Sequence, residues 1–115
     1  MNKLLNYFKL LSDETRLRIM VLLYHNELCV CQITGITEIS QPNVSKHLAR
    51  LRDMGMVKDK RKEQYIFYSL AFEDKLFDDI LEKIIDNIED YPVLKSDIEK
   101  SREAAKYVDL DTICQ

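Results

Sequence analysis

Apolar residues in this chain recur first at helical spacing and then, over a short stretch, at strand spacing. Leu4, Leu5, Phe8 and Leu11 predict an amphipathic helix over residues 2–11. Ser12 is placed as the N-cap of a second helix, with Asp13 and Glu14 in its first turn, where negative charge suits the helix dipole. Leu17, Met20, Val21 and Tyr24 carry that helix to about His25. A third, short helix is expected from about Val30 to Glu38. Ile39 and Ser40 make a turn, Ser40 is a further N-cap candidate, and Pro42 is tolerated in the first turn of a fourth helix. Val44, Leu48 and Leu51 line the buried face of this helix, which runs to Met54 and is stopped by Gly55.

The period then changes. Val57 to Lys60 begins an alternation of apolar and polar positions. After Arg61 to Glu63, Tyr65, Phe67 and Ser69 face one way while Ile66, Tyr68 and Leu70 face the other. This is a β-hairpin whose connection is rich in positive charge. From Phe72 the helical period returns through Leu76, Phe77, Ile80, Leu81, Ile84, Ile85 and Ile88, an apolar stripe wider than one small domain needs. Asp90-Tyr91-Pro92 breaks it, a weaker helix covers about 93–106, and 107–115 forms a tail. The predicted class is mainly α with a small β-hairpin: four helices, the hairpin, a fifth helix and a short C-terminal helix.

Composition narrows the picture. A chain of 115 residues with 46% hydrophobic and 32% charged residues is one globular domain over 1–115. The longest unbroken apolar run, Ile19 to Tyr24, is far too short to span a membrane. Lys3 and Lys9 interrupt the first apolar segment, so no signal peptide is expected. Three cysteines, an odd number, suit a reducing compartment, and the expectation is a cytoplasmic protein with free thiols and no permanent cofactor.

The net charge of −3 hides a local excess of the opposite sign. Residues 40–64 carry seven basic and three acidic side chains, whereas 65–115 carry six basic and thirteen acidic ones. Local potential steers a polyanion, so the middle of the chain is the candidate surface for one and the acidic end is expected to stay off it. Three short helices, a fourth opened by polar side chains, and a basic hairpin make a winged helix-turn-helix. Its helix-turn-helix covers about 30–54 and its wing 57–70. A helix entering the major groove presents its N-terminal residues to base edges. Ser40, Gln41, Asn43, Ser45 and Lys46 are such residues, with Arg50 and the hairpin's Lys60, Arg61 and Lys62 placed for phosphates. The surplus apolar surface of 2–11 and 72–90 predicts a homodimer, which would read double-stranded operator DNA as an inverted repeat with half-sites one or two helical turns apart.

Two of the three cysteines stand one residue apart in Glu27-Leu28-Cys29-Val30-Cys31. Taken alone, this spacing suits a soft-metal site, a redox switch or core packing, and a catalytic thiol at Cys29 is a further alternative. The surrounding residues add a resemblance. "LSDETRLRIMVLL" (Leu11 to Leu23), "ELCVC" (Glu27 to Cys31), "SQPNVSKHLARLRDMGMV" (Ser40 to Val57) and the hairpin's "YIFYSL" (Tyr65 to Leu70) resemble the ArsR/SmtB metalloregulatory repressors over residues from about 4 to 90. The resemblance implies a homodimeric winged-helix repressor, not an enzyme, that leaves its operator when a metal or metalloid binds. Within that family, the Cys-Val-Cys pair is similar to the arsenic- and antimony-responsive branch.

By that resemblance, Cys29 and Cys31 match two ligands of the inducer, As(III) or Sb(III). Many relatives have a third cysteine where this chain has Thr34. The cadmium and lead sensors add cysteines from an N-terminal extension not seen here. The zinc and nickel sensors use His and Asp on the long C-terminal helix, whereas the histidines here are His25 and His47. A thiolate-only site is what remains. The third sulfur then comes from Cys114 in the tail or from a small thiol. In a regular helix, residues i and i+2 point about 200° apart. The third helix is therefore expected either to begin at Cys31 or later, or to unwind its first turn on binding, which would misplace Gln41 to Lys46.

Overall fold

The computed structural model describes residues 1–108, so Cys114 and the other tail residues from 109 on lie outside the described residues, while 107 and 108, expected in the tail, belong to a helix. The elements are α1 (Asn2–Leu11), α2 (Glu14–His25), β1 (Leu28–Cys29), α3 (Val30–Thr37), α4 (Gln41–Asp53), β2 (Val57–Lys62), β3 (Tyr65–Leu70) and α5 (Lys75–Asp86). A 3-10 turn (Ile88–Asp90), α6 (Pro92–Ser101) and α7 (Ala105–Val108) follow. Four helices lead into an antiparallel sheet, and the chain closes with helices. This is the winged helix-turn-helix architecture expected from the sequence.

Local chemistry sets the boundaries. Asp13, not Ser12, caps α2: its carboxylate accepts the Arg16 N–H at 3.0 Å, while the Ser12 hydroxyl turns back to the Lys9 carbonyl at 2.7 Å. Two candidate caps stand side by side, and the carboxylate also meets the helix dipole. Gly55 ends α4 at φ 76°, where the Met56 N–H reaches the Leu51 carbonyl and the Gly55 N–H reaches Arg52. That pairing is a Schellman ending, and it needs the left-handed conformation a glycine adopts without strain. Residues 72–74 stay outside α5 because Asp74 caps it, accepting the Leu76 N–H at 2.9 Å. The last predicted helix is two pieces, α6 and α7, separated by the turn at 102–104.

The hairpin gains a third strand. Leu28 and Cys29 pair with Tyr68 and Phe67, so the sheet order is β1-β3-β2. Arg61 and Lys62 belong to β2 and not to the connection, which is formed by Glu63 and Gln64. Beneath the sheet, Leu10, Ile19, Met20, Leu22, Ile33, Ile36, Val44, Leu48, Leu51, Phe77 and Leu81 are almost fully buried. Phe77 stacks on Tyr7 with ring centroids 4.3 Å apart and meets the edge of Phe72 at 4.8 Å, which ties α1 to α5. Tyr7 and Leu10 are thus the inward face of α1. Leu5 and Phe8, on the apolar stripe read from the sequence, are 46% and 53% exposed, as is Leu76 of α5 at 53%.

The turn between α3 and α4 is held from several sides. Glu38 adopts the left-handed conformation at φ 62°, which a non-glycine residue enters only with support. Thr37 supplies part of it: its hydroxyl donates to the Ile33 carbonyl at 2.7 Å and accepts the Ile39 N–H at 3.2 Å. Arg18 supplies more, donating to the Thr37 carbonyl at 3.1 Å while both arms of its guanidinium hold Asp97 of α6 at 2.8 Å. Among the described residues, no helix is long and apolar enough to cross a membrane.

Candidate functional site

Val44, Leu48 and Leu51 turn one face of α4 into the core, which leaves its N-terminal polar residues on the outside. Ser40, Lys46 and Arg50 are exposed, and Gln41, Asn43 and Ser45 are half-buried. Ser40 is the N-cap of α4 by position, and its carbonyl accepts the Val44 N–H at 3.0 Å, but its hydroxyl makes no capping bond. His47 belongs to the inner side. It is 8% exposed, its Nε2 lies 3.9 Å from Asp13, and burial pulls its pKa below the ordinary imidazole value.

Lys60, Arg61 and Lys62 are exposed on β2, and strand alternation divides them between the two faces. Lys62 is not a lone cation. It pairs with Glu27, whose carboxyl it holds below the usual carboxylate range, and lies 5.3 Å from the centre of the Phe67 ring. Lys46, Arg50, Lys60 and Arg61 form no ion pair among the described residues, and their charge remains open to an anion.

Between α4 and the wing lies a groove of about 520 Å³, lined by Ser45 of α4, by Arg61, Gln64, Tyr65 and Tyr68 of the wing, and by Cys29. The fold therefore brings one cysteine to the same wall as two residues of the polar and basic set. Cys29 is a free, buried thiol, 1% exposed. Cys31 is half-buried and has a partner, so the expectation of free thiols holds only for Cys29 of the pair.

The start of α3 answers the spacing question in a third way. The helix begins at Val30, and Cys29 is its N-cap with extended backbone at φ −92° and ψ 170°. Cys29 is therefore not bound to the 100° step of a helix, and only Cys31 is. Gln32 fixes this geometry, its side-chain oxygen accepting the Cys29 N–H at 3.0 Å as the returning half of a capping box. A glutamine three residues after a cap is a sequence signal, but a cysteine in the cap position conceals it. One turn beyond Cys31, the Thr34 hydroxyl is buried with no hydrogen-bond partner among the described residues. Two sulfurs and an unsatisfied hydroxyl on neighbouring turns fit a thiophilic ion better than a hard one. By contrast, the carboxylates of Asp78, Asp79 and Glu82 on α5 come within 4.8 Å of one another without any sulfur or imidazole.

Comparison with known proteins agrees with this architecture. Residues 13–59 match the family described as bacterial regulatory protein, arsR family. The chain is 43% identical over 81 residues to the arsenic resistance transcriptional regulator ArsR1 of Pseudomonas putida, covering 69% of this chain and 63% of that protein. It thus spans less than two thirds of that relative's length. HlyU from Vibrio cholerae superposes with a TM-score of 0.61 at 32% identity, covering 73% of this chain and 86% of that structure. The AntR antimony-specific transcriptional repressor superposes with a TM-score of 0.64 at 28% identity, over 77% and 79% of the two chains.

Proposed function

The chain belongs to the arsR family of bacterial regulatory proteins, and from that premise we propose that it is a transcriptional repressor released from its operator by arsenite or antimonite. The observation that carries this reading is that Cys29 lines the groove together with Ser45 and Arg61. A thiophilic inducer drawn to Cys29 and Cys31 would disturb the start of α3, against which α4 packs. Packed interfaces respond in discrete steps, so a local change there can displace Gln41 to Lys46 from the major groove. Weakening DNA binding by ~10²–10³ needs only about 3–4 kcal/mol of coupling. The test is operator binding by reduced protein against As(III), Sb(III), Cd(II), Zn(II) and Pb(II). Release by the divalent ions with no response to the metalloids would refute the reading.

A second reading is favoured by the partner that Cys31 already has. In it, thiol oxidation rather than inducer capture releases the DNA. Titration with diamide against arsenite separates the two, because only oxidation would respond to diamide with the metalloid absent.

The protomer would act as a homodimer through α1 and α5, whose Leu5, Phe8 and Leu76 are otherwise large apolar side chains left in water. On an inverted-repeat operator, Arg61→Ala should weaken binding to all sequences alike and flatten the salt dependence, by about one unit of log–log slope for each phosphate no longer neutralised. Gln41→Ala should instead relax sequence preference, by about 1–3 kcal/mol at one base pair. Binding measured at several salt concentrations on matched and mismatched operators distinguishes the two effects.

As(III) takes three sulfur ligands, and Cys114 is the third protein thiol. Small thiols in a reducing cell are present at millimolar concentration, comparable to the effective concentration that a tethered thiol gains. Cys114→Ser should therefore shift the arsenite midpoint by less than about tenfold, or 1.4 kcal/mol, when glutathione is present. Fluorescence anisotropy of a labelled operator, with and without glutathione, measures it. Complete loss of release in both conditions would make Cys114 an obligatory ligand.

A further inference from the structure

The segment formed by α6 and α7 crosses α3 and touches it at each end and in the middle. At the C-terminal end, Lys100 reaches Glu38 at 3.4 Å, and Asp97 holds the Arg18 that binds the Thr37 carbonyl. In the middle, the Tyr107 ring presses on Gly35 so closely that a Cβ there would meet three ring carbons at 2.2, 2.6 and 2.9 Å. At the N-terminal end, Gln32 uses both halves of its carboxamide. The oxygen accepts the Cys29 N–H at 3.0 Å, and the nitrogen donates to the Ala104 carbonyl at 3.2 Å.

We propose that Gln32 is a positioning residue for Cys29, and that the α6–α7 segment is a strap whose docking on α3 opposes the capture of a thiophilic ligand by Cys29 and Cys31. The proposal rests on reading the cysteine pair as an inducer site. In this proposal, drawing both sulfurs onto one atom turns the chain about residues 29–31, where the extended Cys29 meets the first turn of α3. The Cys29 N–H is tied to Gln32, and Gln32 is tied to the strap. Rotation at Cys29 therefore pulls on the Ala104 hydrogen bond, and through it on Tyr107 one helical turn further along α3. Coupling free energy is reciprocal: what ligand capture costs the docked strap, the docked strap costs ligand capture. Loosening the strap should strengthen capture, and capture should loosen the strap.

The test uses the full chain, reduced, with Cys114→Ser so that Cys29 and Cys31 are the reactive pair. Phenylarsine oxide is the probe. It forms two As–S bonds, and its oxygen leaves as water with the two thiol protons, with no change of oxidation state. Gly35→Ala adds one methyl group that must displace Tyr107, while making α3 itself a better helix. Tyr107→Ala removes the ring instead. Gln32→Glu keeps an acceptor for the Cys29 N–H and loses the donor to Ala104. All three should lower the midpoint of bridged-adduct formation, read by mass spectrometry, by about fivefold or more. Gly35→Ala and Tyr107→Ala should leave operator affinity without the reagent unchanged. In the chain carrying only Cys114→Ser, adduct formation should raise amide hydrogen exchange over 102–108. Midpoints within about twofold of that chain, raised midpoints, or a reagent that fails to bridge the pair would each overturn the proposal. Arsenite release of operator, run in parallel, reports separately on the inducer reading, because adduct formation needs no DNA.

Discussion

Cys29→Ser and Cys31→Ser are each expected to hold the operator as tightly as the unaltered chain and to keep holding it at arsenite concentrations that release the parent completely. The first half follows from the position of the pair. Cys29 lies in the wall of the groove and Cys31 in the first turn of α3, away from the outward surface of α4 that carries Gln41, Asn43 and Lys46. Serine keeps the shape of either side chain, and an oxygen in the N-cap position of α3 is a better acceptor than sulfur, so Cys29→Ser should not loosen the helix start. The second half follows from ligand chemistry. A hydroxyl replaces a soft thiolate with a weak, hard donor, and a two-sulfur protein site reduced to one sulfur offers a metalloid little more than a free thiol does. The loss should be the whole of the ~10²–10³ response, not a fraction of it. Anisotropy of a labelled operator under reducing conditions, with arsenite added at fixed protein, measures both halves. A Cys29→Ser protein that still releases its DNA would show that capture does not pass through the groove.

Much of this site is legible in the amino-acid sequence. The helical period of Val44, Leu48 and Leu51 places α4 and turns Lys46 and Arg50 outward, and the return to strand spacing at Val57 places the wing. Long, strongly periodic segments carry their own evidence. Other features are out of reach for specific reasons. Leu28–Cys29 is a strand of two residues, too short to show any alternation, and it exists because β3 offers it an edge. The apolar stripe of α1 reads correctly as helix, but which side chains of α1 turn inward is not in it. Tyr7 takes the inside by stacking on Phe77, seventy residues away, and Phe8 is left outside. Gln32 has the pattern of an ordinary polar helix residue, and its role emerges only because Cys29 leaves the helix. The ties of Arg18 to Asp97 and of Tyr107 to Gly35 join residues more than seventy positions apart, where no local pattern could announce them.

Arg18→Ala is expected to destabilise the fold by about 3–5 kcal/mol, and more than Asp97→Ala does. The asymmetry comes from what each substitution leaves behind. Asp97 has a side chain only 2% exposed, and both arms of the guanidinium reach it at 2.8 Å. With Arg18 gone, a carboxylate stays buried without its charge partner, and the Thr37 carbonyl loses the guanidinium donor at the end of α3. With Asp97 gone, the guanidinium keeps the Thr37 carbonyl and the Glu14 carboxylate at 3.6 Å, and its side chain is 14% exposed, enough for water to help. A domain of this size has roughly 5–15 kcal/mol in hand, so the first loss should lower the melting temperature by roughly 15–30 °C. An apolar exchange of both partners, Arg18→Met with Asp97→Leu, should recover most of the loss, since no charge is then stranded. Urea denaturation of the three variants measures this, and two single losses of equal size would mean that the stranded carboxylate is not the source of the cost. The same series bears on function. Arg18 supports the left-handed turn at Glu38 that sets α4 against α3, so Arg18→Ala protein that remains folded should also lose operator affinity. The double variant, stable but without the Thr37 hydrogen bond, should recover stability more fully than it recovers DNA binding.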